Sequence, residues 1–213
     1  MNGENFEIIK NFGPSIIKTK IPDKMVEEIN NYVDNLVNNK EKLKNLDHGD
    51  NLVADVTQEF RLEKEFMDKI GWLKFLTGKI SKWVQIETDD KITEFKMKST
   101  WIVRQFEQQF NPTHWHYGHI SGAGFLKVPK NFGEFSQDKP SNTYRGGYLE
   151  LLHGSRMFLS KSIYHAKPKV GDLYIFPNYL MHHVWPFKDT NEERRSISFN
   201  AEIDEKIYNV YSR

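Results

Sequence analysis

The rhythm of apolar positions changes partway along the chain. Met25, Ile29, Tyr32, Val33, Leu36 and Val37 recur at helical spacing, with Glu and Asn between them. Ile21-Pro22-Asp23 precedes that run and predicts a helix start with Asp23 as its cap. The polar tail Asn38-Asn39-Lys40-Glu41-Lys42 predicts a fraying end. Upstream, Phe6 to Ile21 reads as strand material, with Ile8-Ile9 and Ile16-Ile17 flanking a Phe12-Gly13-Pro14 break. Asn45 to Gln58 reads as loop, with a turn at His48-Gly49-Asp50-Asn51. A second amphipathic helix is predicted from about Leu62 to Val84. Phe66, Ile70, Leu73, Leu76 and Ile80 mark its buried stripe, and Gly71 and Gly78 interrupt it.

From about Ile92 short apolar or alternating runs are separated by turn residues. These runs are Thr100 to Phe110, Ile120 to Val128, Gly147 to Leu152, Val170 to Phe176 and Arg194 to Ile203. Strands at this spacing predict a sandwich or barrel. Asn131 to Arg145 is a polar insertion, either a lid or an exposed loop. The pattern as a whole predicts an α+β protein, an N-terminal helical layer packed on a C-terminal β unit.

Composition narrows the chemistry. At 213 residues the chain suits one full domain. A net charge of +1 gives no global argument for nucleic acid or an anionic membrane. There is no cysteine, which excludes disulfides, thiolate nucleophiles and zinc–thiolate sites. A metal would need nitrogen and oxygen ligands. No signal peptide is legible at the N-terminus and no apolar run approaches membrane length, so the expectation is a soluble, cytoplasmic protein.

Within that frame one stretch carries chemistry: Asn111-Pro112-Thr113-His114-Trp115-His116-Tyr117-Gly118-His119. In an extended chain His114 and His116 share a face, their roots roughly 7 Å apart. A third ligand from another strand would complete a metal site, and His182-His183 offers one. His119 has odd parity to the pair and faces away unless Gly118 turns the chain, which leaves open whether His116 or His119 serves. Alternation also divides the last strand: Arg194, Ser196, Ser198 and Asn200 share one face, and Arg195, Ile197 and Phe199 the other. A polar pocket wants the first set, an outer face under helices the second. The basic stretch His153 to Lys169 reads either as an exposed sheet edge guarded by lysines or as an attractor for an acidic substrate.

Three segments occur in an informative order. Trp101-Ile102-Val103-Arg104-Gln105-Phe106 leads to His114-Trp115-His116. Gly146-Gly147-Tyr148-Leu149-Glu150-Leu151 follows, then Lys169 to Pro177, His182 and Arg194-Arg195-Ser196. Over residues 100–203 this resembles the iron(II)/2-oxoglutarate-dependent oxygenases, most closely their prolyl-hydroxylase-like branch. The resemblance implies a double-stranded β-helix, or jelly roll. Residues 91–205 would form the jelly-roll catalytic core of a single domain over 1–213, and residues 1–90 a strand and helices that support it. It implies Fe(II) bound by His114, His116 and His182, with 2-oxoglutarate and O2 as co-substrates. Arg194 and Ser196 would anchor the far carboxylate, and Gln105 stands where relatives often carry a tyrosine that contacts the co-substrate. The family's usual acid is replaced by His116, a departure that removes one negative charge beside the metal. The implied activity is hydroxylation of an unidentified small molecule or protein side chain, with release of succinate and CO2. Two other readings stay open on the residues alone: a cupin-like three-histidine metalloenzyme without 2-oxoglutarate, and a non-enzymatic jelly-roll binding module. A homodimer is equally open.

Overall fold

The elements follow the pattern with a few instructive departures. The computed structural model describes residues 6–9, 13–49, 53–140 and 143–212. The expected positions of Phe12, Asp50, Asn51 and the N-terminal pentapeptide lie outside them. Strands β1 (Phe6–Ile9) and β2 (Ile16–Lys20) come first, then helices α1 (Asp23–Val37) and α2 (Lys40–Asn45). Asp23 is not the cap of α1; Pro22 holds that place, its carbonyl accepting from Val26 N at 3.0 Å. Asp23 instead lies in the first turn, where its charge suits the helix dipole. The polar tail does not fray. Asn39 restarts a helix, its side chain accepting from Lys42 N at 3.0 Å.

The long second helix is two helices, α3 (Lys64–Ile70) and α4 (Trp72–Thr88). Gly71 separates them at φ 74°, a left-handed backbone that glycine adopts without steric cost. The break shifts the buried stripe. Trp72 becomes fully buried and Leu73 exposed, while Gly78 is accommodated within α4. A strand that the local pattern does not reveal, β3 (Gln58–Arg61), precedes α3.

The β region supplies β4 (Phe95–Gln105), β5 (Asn111–His114), β6 (Ile120–Lys127), β7 (Leu149–Leu152), β8 (Ile163–Ala166), β9 (Asp172–Pro177), β10 (Met181–Val184) and β11 (Arg194–Ile203). A short α5 (Glu205–Tyr208) follows. The larger sheet runs β1-β2-β9-β6-β11-β4-β3 and the smaller β5-β10-β7-β8. Every pairing is antiparallel, which allows one face of each sheet to be buried differently from the other. β8 is the smaller sheet's edge, in agreement with its basic, lysine-flanked sequence.

Two apolar clusters hold the layers together. Ile29 and Val33 of α1 and Leu76 and Ile80 of α4 pack on Ile102, Leu173, Ile175, Ile197 and Phe199 of the larger sheet. Phe125, Tyr174 and Phe176 from the other face meet Leu149, Leu151 and Ala166 of the smaller sheet. The helical layer thus covers one side of the larger sheet, and a cavity opens between the two sheets on the other. No helix among the described residues is long and apolar enough to cross a membrane.

Candidate metal centre and its cavity

Register delivers the first two histidines of the site. β5 and β10 pair so that His114 lies directly opposite His182. His116 follows the end of β5 and is held by backbone contacts rather than by a ladder. Its N–H donates to Asn178 O at 3.1 Å, and its carbonyl accepts from Asn178 Nδ2 at 2.9 Å. Tyr208 of α5 in turn donates to Asn178 Oδ1 at 3.1 Å. Nothing in the local pattern marks Asn178 or Tyr208 for this supporting role.

The three imidazoles converge. Ring centroids lie 4.8 Å apart for His114 and His116, 4.2 Å for His114 and His182, and 5.0 Å for His116 and His182. One ligand nitrogen from each falls within 4.8 Å of the others, and among the described residues no carboxylate joins the group. Two of the tautomers follow from backbone partners. His114 Nδ1 lies 2.7 Å from Pro112 O and His182 Nδ1 2.9 Å from Leu180 O. A carbonyl only accepts, so each Nδ1 carries the proton and each Nε2 presents a lone pair. His182 Nε2 and His116 Nε2 face one another at 3.2 Å. Burial, first of all, lowers the pKa of each ring, His116 down to about 3 and His182 well below the usual value. Neutral rings with lone pairs aimed at one point are what a divalent cation requires. This donor set fits a borderline metal such as Fe(II).

The neighbouring histidines are engaged elsewhere. His119 stacks on Tyr208 at 3.9 Å, and its ring nitrogens meet Ile203 N at 3.0 Å and Glu205 at 3.3 Å. His183 lies 3.2 Å from Glu150 and edges onto Trp185, as its opposite parity to His182 predicts.

The same cavity reaches Arg194, Ser196 and Gln105. Arg194 is 2% exposed and its guanidinium lies over the Phe125 ring at 5.0 Å. It donates through Nε to Gly147 O at 3.0 Å and through Nη1 to Gln105 Oε1 at 3.2 Å and Ser196 Oγ at 3.4 Å. Among the described residues no acid pairs with it, and burial lowers its pKa to about 9. Gly147 makes that contact at φ 71°; a Cβ there would meet Phe132 at 2.2 Å. Arg195 points to the helices instead, bonding Glu193 at 2.7 Å and Asp34 at 2.6 Å. Gln105 is occupied on both sides, its Nε2 donating to Gln109 O at 2.6 Å. Trp101, Val103, Leu149 and Val184 supply dry walls. The described residues of the 131–145 insertion do not line this cavity. They pack beside Trp185 to Lys188, where Lys188 Nζ donates to Ser136 Oγ at 3.0 Å.

Known proteins share this fold. The family model described as "Putative 2OG-Fe(II) oxygenase" matches residues 99–200. No curated protein matches the chain in sequence. Among solved structures the fold is similar to that of a Pseudomonas putida prolyl-4-hydroxylase, at TM-score 0.56 and 14% identity over 88% of this chain and 91% of that one. It is similar to a Trichoplax adhaerens prolyl hydroxylase solved with a hypoxia-inducible-factor peptide, at TM-score 0.55 and 15% identity over 100% and 89% of the two chains. It is also similar to a viral collagen prolyl hydroxylase from Paramecium bursaria Chlorella virus-1 in its 2-oxoglutarate complex, at TM-score 0.50 and 15% identity over 94% and 97%. Residues 99–200 thus match the model of the Fe(II)- and 2-oxoglutarate-dependent oxygenases, and the jelly-roll fold around the histidine cluster is similar to that of prolyl hydroxylases.

Proposed function

We propose that His114, His116 and His182 hold the Fe(II) through their Nε2 atoms, and that Arg194 receives the distal carboxylate of 2-oxoglutarate. The observation that supports this most is the pairing, in one cavity, of a three-imidazole cluster with a buried guanidinium that no carboxylate of the described residues neutralises. An unpaired buried charge is costly, so a site that retains one is built for a counter-ion. Ser196 and Gln105 hold the guanidinium plane, and Gly147 fixes its Nε. Nη2 is left to meet the guest, in the fork geometry that suits a carboxylate.

Bound there, metal and co-substrate supply the oxidation of a substrate C–H bond with release of succinate and CO2. The chain's own work is to bind, orient and exclude water. The backbone partners of His114 and His182 fix which nitrogen faces the metal, and Asn178 holds His116 in reach. The third imidazole leaves the centre one negative charge short of a carboxylate-containing site, which the 2-oxoglutarate dianion partly offsets. Residues 1–213 act as one domain in this reading, since β2 and β3 extend the sheet that carries Arg194.

An anaerobic titration with Fe(II) and 2-oxoglutarate tests the assignment. A charge-transfer absorption band is expected, lost in His182→Ala and shifted to much higher co-substrate concentration in Arg194→Ala. Metal binding that never responds to 2-oxoglutarate would instead describe a three-histidine metalloprotein of another kind.

A further inference from the structure

Arg194 is not the only buried ionisable group in the cavity. Glu59, on β3, lines the same space and is 5% exposed. Register places it opposite Val103, which itself pairs with Ser196, so its side chain shares the inward face with the co-substrate residues. No hydrogen bond or ion pair among the described residues engages its carboxyl. Arg194 does not compensate it, since that guanidinium is directed to Gly147, Gln105 and Ser196. The charge that Glu59 does feel is Asp47, of the same sign; burial and that repulsion raise it to about 7. Among the described residues the cavity therefore holds two ionisable groups without an opposite partner, a guanidinium and a carboxyl, in one lining with the three histidines. The guanidinium is used by the proposed co-substrate. No group among the described residues occupies the carboxyl end.

Three features describe what would occupy it. Asn111 Oδ1 lines the cavity, buried and without a hydrogen-bond partner, so a second acceptor awaits a donor. The indole of Trp101, which edges onto His116 at 5.6 Å, offers an aromatic wall to a cation. An outer cleft beside α2 shares Val56 and Glu59 with the inner cavity, so Glu59 stands on the wall between that cleft and the histidine cluster. We infer that Glu59, with Asn111 and Trp101, selects a primary substrate carrying a cationic nitrogen, an ammonium or guanidinium group, and holds that group beside the histidine cluster. This rests on the reading of the cavity as the oxygenase site.

The test uses protein loaded with Zn(II) and 2-oxoglutarate and two matched pairs of probes: n-butylammonium against 1-butanol, and n-propylguanidinium against n-propylurea. Dissociation constants come from ligand-observed NMR. The cations are expected to bind at least about tenfold more tightly than their neutral partners. Glu59→Gln should bring that ratio to about one, and Glu59→Asp should retain a preference. Equal binding of cation and neutral probe, no binding of either, or a ratio unchanged in Glu59→Gln overturns the inference. So does a Glu59→Gln protein that loses metal affinity while keeping the ratio, because the carboxylate then serves the metal. The Fe(II) charge-transfer band of the unaltered protein reports the oxygenase site separately, so failure of one reading is distinguishable from failure of the other.

Discussion

Arg194→Ala is the perturbation whose size can be worked from the structure. Nε is committed to Gly147 and Nη1 to Gln105 and Ser196, while no bond to the described residues engages Nη2. A co-substrate carboxylate would take one charge-assisted bond from Nη2 and share another from Nη1. At about 1.5–3 kcal/mol each, the pair contributes about 3–6 kcal/mol. That corresponds to a loss of about 10²–10⁴ in 2-oxoglutarate affinity. Arg194→Lys keeps a charge but loses the planar fork, so about half of that free energy should remain. The assay is anaerobic titration of the metal-loaded protein, with Mn(II) affinity measured separately. Metal affinity should change little, because Arg194 is absent from the histidine cluster. The reasoning fails if Arg194→Ala binds 2-oxoglutarate within about threefold of the unaltered protein, or if metal and co-substrate binding fall together.

Four further outcomes are expected. His182→Ala should weaken divalent-metal binding by at least about 100-fold in a competitive chelator titration, whereas His119→Ala should leave it within about threefold. Asn178→Ala removes the donor to the His116 carbonyl and the acceptor for Tyr208; a loss of about 1–2 kcal/mol in metal binding is expected, with Tyr208→Phe milder. Glu193→Gln leaves Arg104 and Arg195 without their shared buried carboxylate, and should destabilise the protein by about 3–5 kcal/mol in urea denaturation. The histidine cluster predicts the acid limb of stability in metal-free protein. The folded rings are neutral, with pKa values depressed from 6.5, His116 to about 3. The unfolded chain binds protons that the folded one refuses, so their contribution is intact above pH 6.5 and declines as pH falls toward 3, by up to about 1.4 kcal/mol per unit for each ring. Glu193, held down to about 2, is also depressed. Its contribution is present above 4.5 and lost as pH falls toward 2, which steepens the same limb. Denaturation midpoints at pH 7, 5.5 and 4 measure this, and a flat profile would contradict neutral buried histidines.

Much of the site was legible where chemistry follows from position in a strand. The division of β11 into an Arg194–Ser196–Ser198 face and an Arg195–Ile197–Phe199 face needs only the alternation of an extended chain, and the cavity and the helical layer take the two sets accordingly. The opposite parity of His182 and His183 is legible for the same reason. The helix boundaries were less so, because a single φ at Gly71 resets the phase of an otherwise continuous apolar stripe. Asp23, expected as a cap, lies in a first turn, and Asn39, expected in a fraying tail, caps α2, because capping depends on which backbone groups the neighbouring turn leaves free.

By itself the sequence determined which side chains share a face, that any metal would be held without thiolates, and which ordered set of residues resembles an oxygenase. Tertiary structure alone decided that His182 lies opposite His114, that Asn178 and Tyr208 brace His116, and that Glu59 enters the cavity of Arg194. The physical reason is the range of the forces involved. Backbone geometry sets alternation over a few residues, whereas strand register and the burial of opposite charges in one space depend on segments that meet only when the sheets assemble.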